Sequence, residues 1–70
     1  MPKPPALRPR EVVRLLKRHG FYEARQTGSH LQMKCGNLLV TIPMHSRDLN
    51  PLTLKSILRQ ARLTLGELLD

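Results

Sequence analysis

Gly36-Asn37 is a two-residue turn between two runs in which apolar residues alternate with polar ones. A short turn with glycine first is typical of a β-hairpin, and pairing Cys35 with Leu38 sets the register of the two strands. The apolar residues of both runs then share one face. They form the cross-strand pairs Cys35–Leu38, Met33–Val40 and Leu31–Ile42. A slip of one residue would mix apolar and polar side chains, so the sequence predicts this register.

The opposite face of this hairpin is largely polar. Its predicted pairs are Lys34 with Leu39, Gln32 with Thr41, and His30 with Pro43. Pro43 then falls in a pair without ladder hydrogen bonds at a sheet edge, where a missing N–H does no harm.

A weaker turn signal, Thr27-Gly28, predicts a third strand before His30. If this turn joins Gln26 to Ser29, Arg25 lies directly opposite His30 on the polar face. Tyr22 and Ala24 then join the apolar face.

The chain's other aromatic residue, Phe21, is a poor platform for bases alone, so RNA recognition would depend on backbone and shape.

Amphipathic helices flank these strands. Residues 10–19 and 51–61 each carry one apolar stripe, and Thr64-Leu65-Gly66-Glu67 matches a capping box that opens a short C-terminal helical turn. The predicted fold is α+β, a helix, a three-stranded antiparallel sheet and a helix, with both helices on one face. This is the layout of a double-stranded RNA-binding domain. We expect a flexible, proline-rich arm over residues 1–8 and a single domain over residues 9–70.

Charge and size restrict the function. The chain has 70 residues and a formal net charge of +7, so it should be drawn to polyanions, with nucleic acid ahead of an anionic membrane surface or an acidic protein. Cys35 is its single cysteine, which predicts a reducing, cytoplasmic setting without disulfides or a metal cluster. Scattered carboxylates support no metal site, and no cofactor motif is present. No apolar run is long enough to span a bilayer.

His30 is the candidate catalyst, because an imidazole exchanges protons near neutral pH. His45 follows Pro43 by two residues, so it would be a diagonal neighbour of His30 if the strand continued. One imidazole could take the proton of an RNA 2′-hydroxyl while the other protonates the leaving 5′-oxygen. From the pattern alone, an inert surface histidine is the commoner case. A non-catalytic RNA-binding module and a domain that docks an acidic protein are the other two interpretations.

Several motifs in order resemble the HicA (YcfA-like) family of toxins over about residues 12–69. They are Lys17-Arg18-His19-Gly20-Phe21, Arg25-Gln26-Thr27-Gly28-Ser29-His30, Val40-Thr41-Ile42-Pro43-Met44-His45, Asp48-Leu49-Asn50-Pro51 and residues 53–61. The resemblance implies a metal-independent endoribonuclease that cuts mRNA, arrests growth and needs no cofactor. It implies that His30 is catalytic and that a HicB-type antitoxin covers the His30 face.

Around His30 we expect Arg25 and Lys34 to supply charge to the RNA and Gln32 and Ser29 to orient the phosphate, with His45 as a candidate second proton carrier. Two departures from the family are visible. Leu31 stands where many members have a second histidine, and Leu52 and Arg62 stand where glycine is common.

Overall fold

The computed structural model describes residues 6–70, which form three helices and one three-stranded antiparallel sheet. The elements in chain order are α1 (Pro9–Arg18), β1 (Tyr22–Thr27), β2 (His30–Cys35), β3 (Leu38–Pro43), α2 (Pro51–Ala61) and α3 (Leu65–Leu69). The predicted α+β fold is confirmed, and β2 is the central strand.

The helices begin where their capping residues predict. Pro9 opens α1, where its missing N–H removes no helical hydrogen bond. The Asn50 side chain accepts a 2.8 Å hydrogen bond from the Leu52 N–H at the start of α2. Thr64 and Glu67 form the predicted capping box of α3. At the end of α2, Arg62 has a left-handed backbone with φ +57°, a conformation that suits glycine better than arginine.

The β2–β3 hairpin has the predicted register at every position. Cys35 pairs with Leu38 across the Gly36-Asn37 turn, and His30 pairs with Pro43 at the far end. Gly36 has φ +58°, the left-handed backbone that explains why glycine stands first in this turn.

The predicted β1–β2 register is wrong. The turn is Gly28-Ser29 rather than Thr27-Gly28, so Thr27 pairs with His30 and Arg25 pairs with Gln32. Gly28 supplies the left-handed backbone at the first turn position, with φ +58°.

A β-bulge further along β1 shifts the register again. Ala24 has no partner between the pairs Glu23–Met33 and Arg25–Gln32. The extra residue reverses which side chains point to which face. Tyr22 therefore lies opposite Lys34, outside the core to which the sequence assigned it.

The core lies between the apolar face of the sheet and the helices. Leu31, Met33, Val40 and Ile42 are buried from the sheet. The helices contribute mainly aliphatic side chains to the same cluster: Val12, Val13, Leu15, Leu16, Leu54, Ile57, Ala61 and Leu68. As predicted, none of the helices in the described part of the chain lies on the other face of the sheet, and every residue of β1 is exposed.

The outer edge of β3 is closed in two ways. The Thr41 N–H donates a 2.9 Å hydrogen bond to Oε1 of Gln60 on α2. Pro43, two residues later on the same edge, has no N–H to donate.

The predicted arm of residues 1–8 falls mostly outside the described residues. Of the part that is described, Leu7 is buried and its carbonyl accepts a 2.7 Å hydrogen bond from the Leu49 N–H. Arg8 is the N-cap of α1. No helix within residues 6–70 is long and apolar enough to cross a membrane.

Candidate functional site

The uncovered face of the sheet presents three rows of side chains, one residue from each strand. Strand pairing defines the rows as Thr27–His30–Pro43, Arg25–Gln32–Thr41 and Tyr22–Lys34–Leu39. We call this surface the open face. It includes two permanent cations and no carboxylate, so its residues favour an anionic ligand.

His30 occupies the middle of the first row and is exposed. Its neighbours on the same face, Thr27 and Pro43, are both smaller than the imidazole and leave it open to a ligand. The strand around His30 is held on both sides, since β2 pairs with β1 and the neighbouring Ser29 carbonyl accepts a hydrogen bond from the Met44 N–H at the end of β3. The geometry therefore gives an accessible imidazole on the central strand of the sheet.

The second row places Arg25 next to the histidine but not opposite it. Arg25 faces Gln32, which makes it a diagonal neighbour of His30, with Cα atoms about 7–8 Å apart. An arginine side chain spans such a gap, so its guanidinium and the imidazole can both reach one phosphate. Ser29 lies in the turn beside His30, and its carbonyl accepts a hydrogen bond from the Met44 N–H.

The third row lies farther from the histidine. Lys34 follows His30 by four residues on β2, a distance of about 13 Å along the strand. Its neighbours are exposed apolar residues, since Tyr22 is 57% accessible and Leu39 44%. Lys34 therefore lies at the opposite end of the open face from His30, with Arg25 in the row between them.

His45 is not on the open face. β3 ends at Pro43, so the strand continuation that would have made His45 a diagonal neighbour of His30 is absent. Because His45 follows Pro43 by two residues, its Cα lies within about 12 Å of that of His30. Nδ1 of His45 accepts a 3.1 Å hydrogen bond from the Arg47 N–H, which places the proton of a neutral ring on Nε2.

The His45 ring lines an open hollow of about 430 Å³ together with the side chains of Arg8, Arg10, Met44 and Ser46. The hollow is basic, although Nε of Arg8 also lies 3.8 Å from Oδ1 of Asp48. The hollow lies at the end of the sheet that carries His30, because the N–H of Met44, one of its lining residues, donates a hydrogen bond to the Ser29 carbonyl. Within residues 6–70 no group of three or more histidine, cysteine or acidic side chains could hold a metal ion.

Two residues of the open face were missed by sequence reasoning. Thr27 was placed in a turn and Tyr22 in the core. The signal for Thr27 was present, because Gly28-Ser29 has the same glycine-first pattern as Gly36-Asn37. The position of Tyr22 depends on the bulge at Ala24, for which the sequence has no comparable marker.

Comparison with known proteins matches this chain to one family. The model of "HicA toxin of bacterial toxin-antitoxin" matches residues 9–63, which include all three rows of the open face. The chain belongs to the HicA toxin family. A solved structure described as "Toxin-Antitoxin complex from Streptococcus pneumoniae" shares its fold, with a TM-score of 0.68 and 36% sequence identity. The match covers 77% of this chain and 93% of the other. No curated protein matches the sequence.

The HicA family match covers the sheet and the two long helices but not the last short helix. The helices α1 and α2 and the whole sheet lie within residues 9–63. The short helix α3 lies beyond the matched segment, yet Leu68 from this helix is fully buried in the core. In this member of the HicA family, α3 is therefore an integral part of the hydrophobic core.

Proposed function

We propose that this HicA-family protein is an endoribonuclease that cleaves mRNA by acid–base catalysis at His30 and thereby arrests translation and growth. One observation carries the proposal: His30 is exposed in the middle strand of an open face that has two cations and no acidic residue. The family assignment supports a toxin. The chemistry follows from the residues that surround the imidazole.

The reaction uses the RNA's own 2′-hydroxyl as the nucleophile. The 2′-oxygen attacks the adjacent phosphorus, the bond from phosphorus to the 5′-oxygen breaks, and the products are a 2′,3′-cyclic phosphate and a free 5′-hydroxyl. A base removes the 2′-hydroxyl proton, and an acid protonates the leaving 5′-oxygen. His30 performs one of these transfers, and no metal ion is required.

The other residues hold the substrate. Arg25, diagonal to His30, stabilises the charge that develops on the reacting phosphate, because a guanidinium binds two phosphate oxygens at once. Gln32, in the row between His30 and Lys34, and Ser29 in the turn orient the phosphate. Lys34 binds a neighbouring phosphate. His45 is the candidate second proton carrier; to act as an acid its ring must first take a proton on Nδ1, which breaks the hydrogen bond from the Arg47 N–H.

The decisive experiment compares the wild type with His30→Ala on a long single-stranded RNA in EDTA. Wild type should cleave the RNA to products that end in a 2′,3′-cyclic phosphate, and His30→Ala should not. DNA of the same sequence should survive, because it lacks the 2′-hydroxyl. Since His30 is exposed, its replacement should change the free energy of unfolding by less than about 0.5 kcal/mol.

A control is His19→Ala. His19 is the C-cap residue of α1, partly buried and away from the open face, so the folded His19→Ala protein should cleave RNA as wild type does. Equal cleavage by wild type and His30→Ala, or cleavage only when a divalent metal is added, would contradict the proposal. If neither protein cleaves RNA but both bind it, the non-catalytic RNA-binding module is the correct interpretation, since Arg25 and Lys34 suffice for binding.

The proposed partner is a HicB-type antitoxin that covers the His30 face. Three observations support it: the family is that of a toxin–antitoxin pair, the similar solved structure is a toxin–antitoxin complex, and no helix within residues 6–70 covers the open face. Co-expression with a HicB-type antitoxin should restore growth, and antitoxin binding should protect the exposed side chains of the open face, His30 among them, from chemical modification. Protection confined to the helices would show that the antitoxin binds elsewhere.

A further inference from the structure

The bulge at Ala24 decides which side chains of β1 reach the open face. Without the extra residue, regular pairing would place Glu23 opposite Lys34 and turn Tyr22 towards the helices. With it, Glu23 turns to the helix side, where its carboxylate lies 2.6 Å from Nζ of Lys17. The bulge thus removes an acidic side chain from the open face and puts an aromatic ring in its place.

The aromatic ring stands beside a cation. Tyr22 is the cross-strand partner of Lys34, so their Cβ atoms lie about 4.5–5.5 Å apart, and Leu39 lies on the other side of Lys34. More than half of the tyrosine, 57%, is accessible to solvent. Because Phe21 is buried, Tyr22 is the chain's single exposed aromatic ring.

We propose that Tyr22 and Lys34 form a nucleobase subsite, in which one base of single-stranded RNA stacks on the Tyr22 ring while Lys34 binds the adjoining phosphate. The inference rests on the proposed ribonuclease function and adds to it a contact with a base. Stacking tolerates any base because each has a flat π face, and it favours larger purine rings. An RNA fits this row better than a protein segment does, since the ring lies beside a cation on a face without carboxylates.

The distance from the histidine identifies which nucleotide is bound. Lys34 is about 13 Å from His30 along β2, too far for the nucleotide that is cleaved. The stacked base therefore belongs to a flanking nucleotide of the same strand. Such a contact lets the protein require a single-stranded segment next to the cleavage point, because a base paired in a duplex cannot lie flat on the ring.

The test uses a fluorescein-labelled dodecamer of 2′-O-methyl RNA, which lacks the nucleophile and stays intact. Binding is measured by anisotropy for the wild type, Tyr22→Leu and Tyr22→Phe. Loss of the ring should weaken binding by about 5-fold to 100-fold, whereas Tyr22→Phe should stay within about twofold of wild type. A fluorescent adenine analogue in the RNA should be quenched on binding wild type and Tyr22→Phe, but not Tyr22→Leu.

Two controls separate stacking from charge and from lost apolar surface. Lys34→Gln should lower the slope of log affinity against log salt by about 0.7, while Tyr22→Leu leaves this slope unchanged. Leu52→Ala removes exposed apolar surface from α2, away from the open face, and should bind RNA as the wild type does. Tyr22→Thr, which retains a high β propensity, replaces Tyr22→Leu if the leucine variant does not fold.

The proposal is overturned if Tyr22→Leu, folded by circular dichroism, binds the RNA as tightly as wild type. It is also overturned if Tyr22→Leu weakens only the antitoxin complex, because the ring would then serve the protein partner. Failure of the ribonuclease proposal is detected separately, by cleavage that persists in His30→Ala. The binding measurements do not depend on that result, because the 2′-O-methyl RNA cannot be cut.

Discussion

Gly28 links the fold to the position of His30, because it opens the turn that leads into the histidine. Its backbone has φ +58°, and a Cβ added there would meet no atom within 4 Å. The cost of Gly28→Ala is therefore conformational and involves no clash. We expect this substitution to destabilise the protein, although the turn is on the surface.

The magnitude follows from two opposing contributions. Gly28 has positive φ and Ser29 does not, which makes this a type II′ turn, and a side chain at its first position costs about 1–3 kcal/mol. Alanine also lowers the conformational entropy of the unfolded chain, which offsets about 0.4–1 kcal/mol of this cost. The net loss should be about 1 kcal/mol, which lowers the melting temperature of a domain of this size by about 4–8 °C. Gly36→Ala should behave alike, since Gly36 has the same φ and the same free space.

Gly66→Ala is the matched control of opposite sign. Gly66 lies in α3, and a Cβ there would make ordinary contact at 3.9 Å with Oγ1 of Thr64. Alanine should therefore stabilise the helix by about 0.5–1 kcal/mol. Urea and thermal unfolding followed by circular dichroism measure all three variants.

The cleavage assay adds a second comparison, because Gly28 lies close to His30 and Gly36 lies at the other end of β2. At an equal loss of stability, Gly28→Ala should reduce cleavage more than Gly36→Ala does. The reasoning fails if Gly28→Ala is as stable as wild type, or if all three alanine variants shift the melting temperature in the same direction.

Three further predictions concern the C-terminal part of the chain. Arg62→Gly should raise the free energy of unfolding by up to about 1 kcal/mol in urea titrations, because glycine accepts the left-handed conformation that ends α2; a loss of stability would show that the arginine makes a compensating contact. Leu68→Ala should lower the free energy of unfolding by about 2–5 kcal/mol, because Leu68 is fully buried. Leu69→Ala should lower it far less, because Leu69 is half-exposed, and similar losses at both positions would contradict the packing of α3. The pKa of the Glu67 carboxyl is lowered by hydrogen bonds from the backbone and then the side chain of Thr64. The contribution of this carboxylate to stability is therefore present above its unfolded pKa and is lost as pH falls through its folded pKa. Glu67→Gln should therefore be less stable than wild type at neutral pH and approach it in acid, and a constant difference from neutral to acid pH would refute this assignment.

The β2–β3 hairpin was predictable because two independent features agree. The Gly36-Asn37 turn predicts one register of the hairpin. The same register is needed to bury the four apolar side chains of the sheet, Leu31, Met33, Val40 and Ile42. A one-residue error would expose the core, so the sequence could not satisfy both features in another way. This register alone predicts that one face of β2 carries His30, Gln32 and Lys34.

β1 lacks this second constraint. All six of its residues are exposed, so no buried pattern selects a register, and both the turn and the bulge were misjudged. Tyr22 illustrates the difficulty, since an aromatic residue beside an apolar strand is expected in a core. The diagonal position of His45 depended on a longer β3, and that condition is not met: the chain leaves the sheet after Pro43, where the Met44 N–H donates a hydrogen bond to the Ser29 carbonyl, a contact distant in sequence.

The outer edge of β3 has a consequence for how the molecule behaves in solution. An exposed strand edge offers N–H groups to any other strand, which leads to edge-to-edge aggregation. On β3, Gln60 already occupies the N–H of Thr41, and Pro43 offers none. A second strand added there would lose two successive hydrogen bonds, so extension of the sheet in that direction is disfavoured. The chain can therefore keep an uncovered sheet face for its ligand without polymerising along β3.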